Sequence, residues 1–351
     1  MKNALFLTGA AARISQEVAI IDKLLELHRL EINPNNTMIA GFSSGALNTA
    51  AINACFRNDN PLDWDNYFKK ELLFKVNNQK VYKQNKFIPL DTNPLRKTVG
   101  DFLNDANLKT INDFSFQSYI LTFSYLRLST VWISNLFNRH QPIDLLDLMM
   151  ATTAIPMLFP DQSIRNSDNT VNKFTRGRFA DGGIGGSFRR FEYYLKRYIR
   201  QNEPLDKIYI VSPMREVTDS DYEELHKMIP AAEMLKMDLK DIRLLRIFLE
   251  MISQNGFDTF VKRFHKWTKK RHIANEIYVC IPKMESNYPI LNFNKQQEQY
   301  EAVSEWIDNN PEKLAIPLNE YVQQFEKHPL QKFTDTIQRN LTHRLRSIGK
   351  S

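Results

Sequence analysis

The sequence predicts a three-layer α/β domain, and three observations carry that expectation. Short apolar runs alternate with amphipathic helical periodicity from residue 4 onward. Glycine is held to eleven of 351 residues and is concentrated between those runs. The composition, 42% hydrophobic and 25% charged, is that of a globular chain, which excludes collagen-like, low-complexity and largely disordered classes.

Taken in order, an apolar strand at 4–7 leads into a helix at 16–28 that places Val18, Ile21, Leu24, Leu25 and Leu27 along one side. A strand at 37–40 and an Ala-rich helix at 45–56 follow. A polar, Asn- and Lys-rich connection then runs to about residue 110. Residues 116–134 alternate as two strands, a helix lies near 143–154, and a strand at 174–180 ends on Asp181. Beyond it come a helix at 188–201, a strand at 208–211, helices across 219–272, a strand at 277–281 and terminal helices.

Residues 214–272 read as a helical insertion rich in Met (Met214, Met228, Met234, Met237, Met251). Methionine suits an adaptable apolar groove or lid, while the spacing of Leu235, Leu239, Ile242, Leu245 and Leu249 suits plain core. The expected organisation is one domain over 1–310, with this insertion inside it, and a basic helical tail over 311–351.

No apolar stretch approaches the ~20 residues that span a bilayer, and the opening apolar run is too short for a signal-peptide core. Two cysteines, Cys55 and Cys280, exclude a disulfide framework and a four-cysteine zinc site. The expected location is therefore the cytoplasm or a membrane surface, with delivery by a signal-independent route left open.

The net charge is +7, and it is unevenly spread. Residues 260–272 carry six cations and no acid, residues 336–351 carry four and no acid, and the rest is slightly acidic. Phe260, Phe264 and Trp267 share one side of the first basic run, and Phe333, Ile337, Leu341, Leu345 and Ile348 recur at helical spacing in the tail. Both patterns fit helices lying on an anionic membrane, and both fit helices packed on the domain with a solvated polar face. No nucleic-acid module is recognisable.

Seven glycines fall in three short segments. Gly41-Phe42-Ser43-Ser44-Gly45 stands between an apolar strand and an Ala-rich helix. This G-x-S-x-G spacing makes a strained turn that lifts the Ser43 hydroxyl onto a helix N-terminus, with the Ser44 N–H behind it. Thr8-Gly9-Ala10-Ala11-Ala12-Arg13 follows the first strand, where small residues let backbone N–H groups converge on an anion. Asp181-Gly182-Gly183-Ile184-Gly185-Gly186 places an acid at a strand end beside residues that permit close approach.

The three segments together resemble the patatin-like phospholipase family. That family carries a glycine-rich oxyanion loop with Arg or Lys, a G-x-S-x-G elbow on the next strand, and a later D-G-G or D-G-A aspartate. Ala151-Thr152-Thr153-Ala154-Ile155-Pro156-Met157-Leu158-Phe159-Pro160 is similar to the family's segment before the aspartate, and the resemblance extends over about 4–305. It implies an α/β/α fold with a mainly parallel central sheet. It also implies a Ser43–Asp181 dyad and an oxyanion hole drawn from Gly9, Ala10, Ala11, Ala12, Arg13 and Ser44. The implied reaction is hydrolysis of fatty-acyl esters of glycerophospholipids, phospholipase A type, through an acyl-enzyme and without metal or cofactor.

The loop departs from the family's D-G-G-G-x-R-G at Thr8, Ala10, Ala11 and Ile14, and alanine resists the left-handed backbone that glycine allows. Two other readings therefore stand beside the hydrolase. One is a catalytically weak or inactive relative that binds membranes or a partner. The other is a Ser–Asp–His carboxylesterase, which the order of the histidines permits.

Overall fold

A computed structural model describes residues 2–28, 30–85, 89–138, 141–171, 175–184, 187–199, 204–228, 249, 253–284 and 288–324. Its strands are β1 (Asn3–Leu7), β2 (Thr37–Gly41), β3 (Gln117–Ser124), β4 (Ser129–Ser134), β5 (Phe179–Asp181), β6 (Leu205–Val211), β7 (Ala274–Cys280) and β8 (Ile316–Pro317). The described helices are α1 (Ile14–Leu27), α2 (Ser44–Cys55), α3 (Asn78–Val81), α4 (Asn93–Asp105), α5 (Leu145–Thr152), α6 (Ser187–Ile199), α7 (Asp219–Met228), α8 (Gln254–Thr268), α9 (Gln296–Asn309) and α10 (Leu318–Gln323).

The strands form one sheet in the order β4-β3-β2-β1-β6-β7-β8, with β5 also paired to β3. The five central strands β3-β2-β1-β6-β7 are mutually parallel, and β4, β5 and β8 join antiparallel. Side chains alternate across β1 as the strand period requires. Leu5 and Leu7 pack with α1, α2 and α9 on one side, whereas Ala4 and Phe6 pack with α6, α8 and α10 on the other. The expected α/β/α layering with a mainly parallel sheet is what the structure shows.

Register brings two strand ends together. One edge of β3 is covered by β4 over Tyr119–Ser124. The other edge is shared. β2 pairs with Gln117–Ile120 and ends at Gly41 opposite Ile120, while β5 runs the opposite way along Thr122–Ser124 and ends at Asp181 opposite Thr122. The two strands meet nearly end to end, so the residues that follow β2 face the last residue of β5.

Two regions differ from the sequence expectations, and in a third the structure decides between two readings. The polar connection is helical: a π-type turn at Trp64–Leu72, a 3-10 turn at Leu73–Lys75, then α3 and α4. These elements join α5 in a second apolar cluster beyond the sheet. The aspartate strand is only three residues long. In the basic run, α8 turns Phe257, Phe260, Val261 and Phe264 into the core against the sheet, and Trp267 packs beside them. That aromatic side therefore covers the protein's own sheet and does not face a membrane, because the sheet's apolar residues need a covering layer. Leu318, Tyr321 and Val322 of α10 pack on the same side. Met234, Met237, Met251, Leu235, Leu239, Ile242 and Leu245, Gly185 and Gly186, and the tail positions Phe333, Ile337, Leu341, Leu345 and Ile348 lie outside the described residues.

Candidate active site

Ser43 sits between β2 and α2 with φ +52° and ψ −136°, a conformation an L-residue adopts only at a cost. The neighbouring atoms require it. A Cβ at Gly45 would run into the Leu7 carbonyl group of β1, so only glycine lets α2 start this close to the sheet. The Ser43 N–H donates to Thr152 Oγ1 at 3.0 Å, and that hydroxyl donates to the Leu121 carbonyl at 2.5 Å. The Asp181 N–H donates to the Ala154 carbonyl at 2.8 Å and the Gly182 N–H to the Thr152 carbonyl at 3.3 Å. The 151–160 segment thus pins the elbow and the aspartate strand together, a role its sequence did not announce.

Asp181 is 1% exposed. Oδ1 accepts the Gly183 N–H at 2.7 Å, and Oδ2 makes no hydrogen bond among the described residues. Burial pushes the carboxyl up to about 6, while the Gly183 amide, the nearby Ser43 hydroxyl and the Arg215 charge pull it down. The Ser43 hydroxyl therefore lies close enough to Asp181 to favour the ionised carboxylate.

The loop after β1 crosses over the elbow. Gly9 has φ +53°, and a Cβ there would lie 2.6 Å from the Gly45 nitrogen. Ala11 also adopts a left-handed backbone, φ +47°, where the family pattern has glycine. The strain expected of an alanine there, ~1 kcal/mol, is accepted rather than avoided. Of the six residues expected at the oxyanion hole, four have their N–H groups engaged. Gly9 donates to Glu17 Oε1 at 2.7 Å and Ala10 to Ser44 Oγ at 3.0 Å. Ala12 donates to the Ile290 carbonyl at 2.8 Å and Arg13 to the Ala10 carbonyl at 3.0 Å. The N–H groups of Ala11 and Ser44 have no such partner among the described residues, and both residues line the cavity beside Ser43.

Arg13 points away from that cavity. Its guanidinium is fully buried, donates to the Tyr288 and Met214 carbonyls at 2.8 Å each, and lies 3.7 Å from Asp221. Burial lowers its pKa, against the pull of Asp221 and Glu216. It braces the loop against later parts of the chain. The Ala12 carbonyl is held in the same way by Gln296 and Gln299, at 2.9 and 3.2 Å.

Glu17 and Arg215 carry no motif, and sequence reasoning missed them. Glu17 is fully buried and accepts from Gly9 and, at 2.9 Å, from Asn48 Nδ2. Burial pushes it up to about 7, opposed by those hydrogen bonds and by Arg215. Arg215 donates to the Thr8 carbonyl at 3.1 Å, to the Thr8 hydroxyl and, at 2.8 Å, to Ser212. Burial lowers it to about 10, while the charges of Glu17 and Asp181 hold it up. One buried cation therefore balances two buried acids, one under the loop and one facing Ser43.

From Ser43 an apolar cavity of about 100 Å³ opens. Leu47 and Ala50 of α2 form its floor, Met149, Ile155 and Phe159 one wall, and Phe68, Leu73, Val99 and Phe102 of the unexpected helices the other. No described residue of 214–272 lines it, and neither does any described histidine. Among the described residues no group of three or more His, Cys, Asp or Glu could hold a metal ion. No described helix is long and apolar enough to cross a membrane.

The fold thus sets a strained elbow serine near a buried aspartate, beneath a small-residue loop on a mainly parallel sheet, and the class of protein that the family comparison supports is the lipid acyl hydrolases. The patatin-like phospholipase family model matches residues 4–192, more than half of the chain, and the chain belongs to that family. Its structure is also similar, at 13% identity and a TM-score of 0.36, to the crystal structure of VipD from Legionella pneumophila, over 88% of this chain and 67% of that one. No curated protein matches the chain.

Proposed function

We propose that the protein is a phospholipase A-type hydrolase that cleaves fatty-acyl esters of glycerophospholipids at a membrane surface with a Ser43–Asp181 dyad. The observation that carries this reading is the closeness of Ser43 to the buried Asp181, with Ser43 itself lining an apolar cavity that suits part of an acyl chain. With the chain in the cavity, the ester carbonyl stands at Ser43. Ser43 Oγ attacks the carbonyl carbon as its proton passes to Asp181 Oδ2. The tetrahedral oxyanion is received by the N–H groups of Ala11 and Ser44, at the positive end of α2. Collapse breaks the ester C–O bond, and Asp181 returns its proton to the departing alcohol. Water then attacks the acyl-Ser43 ester with Asp181 again as base, which releases the fatty acid and restores the serine.

The test is fatty-acid release from mixed phosphatidylcholine–phosphatidylglycerol vesicles by wild type, Ser43→Ala and Asp181→Ala. Release by the wild type that is abolished in both folded variants is expected. Full release by either variant would reject the dyad.

A further inference from the structure

Seven large apolar side chains are exposed among the described residues, and three of them, Tyr125, Leu126 and Leu128, fall within four consecutive positions at the tip of the β3–β4 hairpin. Leu126 is 63% and Leu128 79% exposed. Hairpin tips ordinarily hold glycine, asparagine or aspartate, which are at ease in water and with positive φ. Leu128 has φ +46°, so it is unfavourable here twice, by its solvation and by its backbone.

The tip stands on the substrate side of the sheet. Asp181 pairs with Thr122 and β3 ends two residues later at Ser124, so the tip projects past Asp181 at the sheet end where β2 delivers Ser43. The tip is anchored to the aspartate strand: Tyr125 N–H donates to the Arg178 carbonyl at 3.1 Å, and Leu126 packs over Gly177. Arg127, between the two leucines in sequence, and Arg176 and Arg178, on either side of the Gly177 that Leu126 covers, are exposed. Asp161 pairs with Arg178 at 2.7 Å, and the three arginines with this one acid sum to a formal charge of +2 beside the apolar tip.

We propose that residues 125–128 dock the protein on an anionic phospholipid bilayer, with Leu126 and Leu128 entering the acyl boundary and Arg127, Arg176 and Arg178 at the headgroup phosphates. This surface deepens the lipid-hydrolase reading and rests on it, because the sheet end that carries Ser43 and Asp181 is the end it would bring to the bilayer. It also places membrane contact on this hairpin and not on the aromatic side of α8.

The experiment compares sedimentation of the full chain with phosphatidylcholine–phosphatidylglycerol vesicles for wild type, for the double variant Leu126→Ser/Leu128→Asn, and for Arg127→Gln. Asparagine is chosen because it tolerates the left-handed backbone. The double variant is expected to lose about tenfold or more in vesicle affinity. Its hydrolysis of a water-soluble short-chain ester should stay at the wild-type rate. Arg127→Gln is expected to lose about fivefold on anionic vesicles and nothing on neutral ones.

Leu126→Cys bearing an environment-sensitive fluorophore is the second probe, since Cys55 and Cys280 are buried. Its emission should shift to the blue with vesicles. Wild-type affinity in the double variant, no vesicle binding by the wild type, or an unshifted fluorophore would each overturn the docking surface. Absence of ester hydrolysis by the wild type would reject the hydrolase reading and leave the binding result to decide the hairpin.

Discussion

The elbow layer and the helical wall enclose the same cavity and are specified in opposite ways. At the elbow, single atoms decide. Gly45 passes the Leu7 carbonyl where no side chain fits, Ser43 holds a positive φ, and Asp181 is buried with one oxygen unpaired among the described residues. In the wall, Phe68, Leu73, Val99 and Phe102 supply bulk, and any apolar group of similar volume would serve. The difference teaches where a change should remove chemistry and where it should only alter preference.

The comparison breaks most visibly at Asp181. Asp181→Asn keeps the acceptor for the Gly183 N–H and removes the base, so kcat should fall about a thousandfold or more. The wild-type acid limb should lie near pH 6, because the base works only when ionised and burial raises it to about 6. Stability moves the other way. The carboxyl ionises near 6 in the folded chain and at an ordinary 3.8 when unfolded, so its contribution falls as pH rises between those values. Above pH 6 the cost is fully present, about 3 kcal/mol by linkage. Asp181→Asn should accordingly melt a few degrees higher than wild type at pH 8, with the gain gone by pH 4, as read by calorimetry.

The positioning of the loop is tested at Glu17. Glu17→Ala leaves the Gly9 N–H and Arg215 without their carboxylate, and kcat should drop about tenfold to a hundredfold with little change in KM. Glu17→Gln should recover part of the loss. In the wall, Val99→Trp should reduce kcat/KM about tenfold for long-chain esters and leave a two-carbon acyl ester nearly unaffected, measured as a chain-length series. Smallest is Ala11→Gly. It relieves the left-handed backbone but frees the unfolded chain, for a net gain of at most about 1 kcal/mol and no loss of rate.

The same contrast explains what was legible in the sequence. The elbow was, because a turn this tight admits few residue types and glycine is scarce elsewhere in the chain. The alternating strands and α1, α2 and α5 were, because one apolar side against the sheet imposes a period. The wall was not. In α4, Leu95, Val99, Phe102 and Leu103 do fall on one side, but among Asn, Lys and Asp they read as a polar connection. The second cluster they bury is invisible until the chain folds back on α5. Glu17 and Arg215 were beyond reach for another reason. A buried acid in the first turn of α1 and a cation after β6 have no local signature, and the two lie almost two hundred residues apart in sequence.

The central claim is that Asp181 activates Ser43. Intact-mass and peptide mapping of the protein treated with a fluorophosphonate, followed in time from pH 4.5 to 8, tests it directly. The account predicts one adduct, on Ser43, whose rate rises through a midpoint near pH 6 and collapses in Asp181→Asn. Labelling of Ser43 at an unchanged rate in Asp181→Asn, or no adduct on Ser43 in the folded wild type, would contradict it.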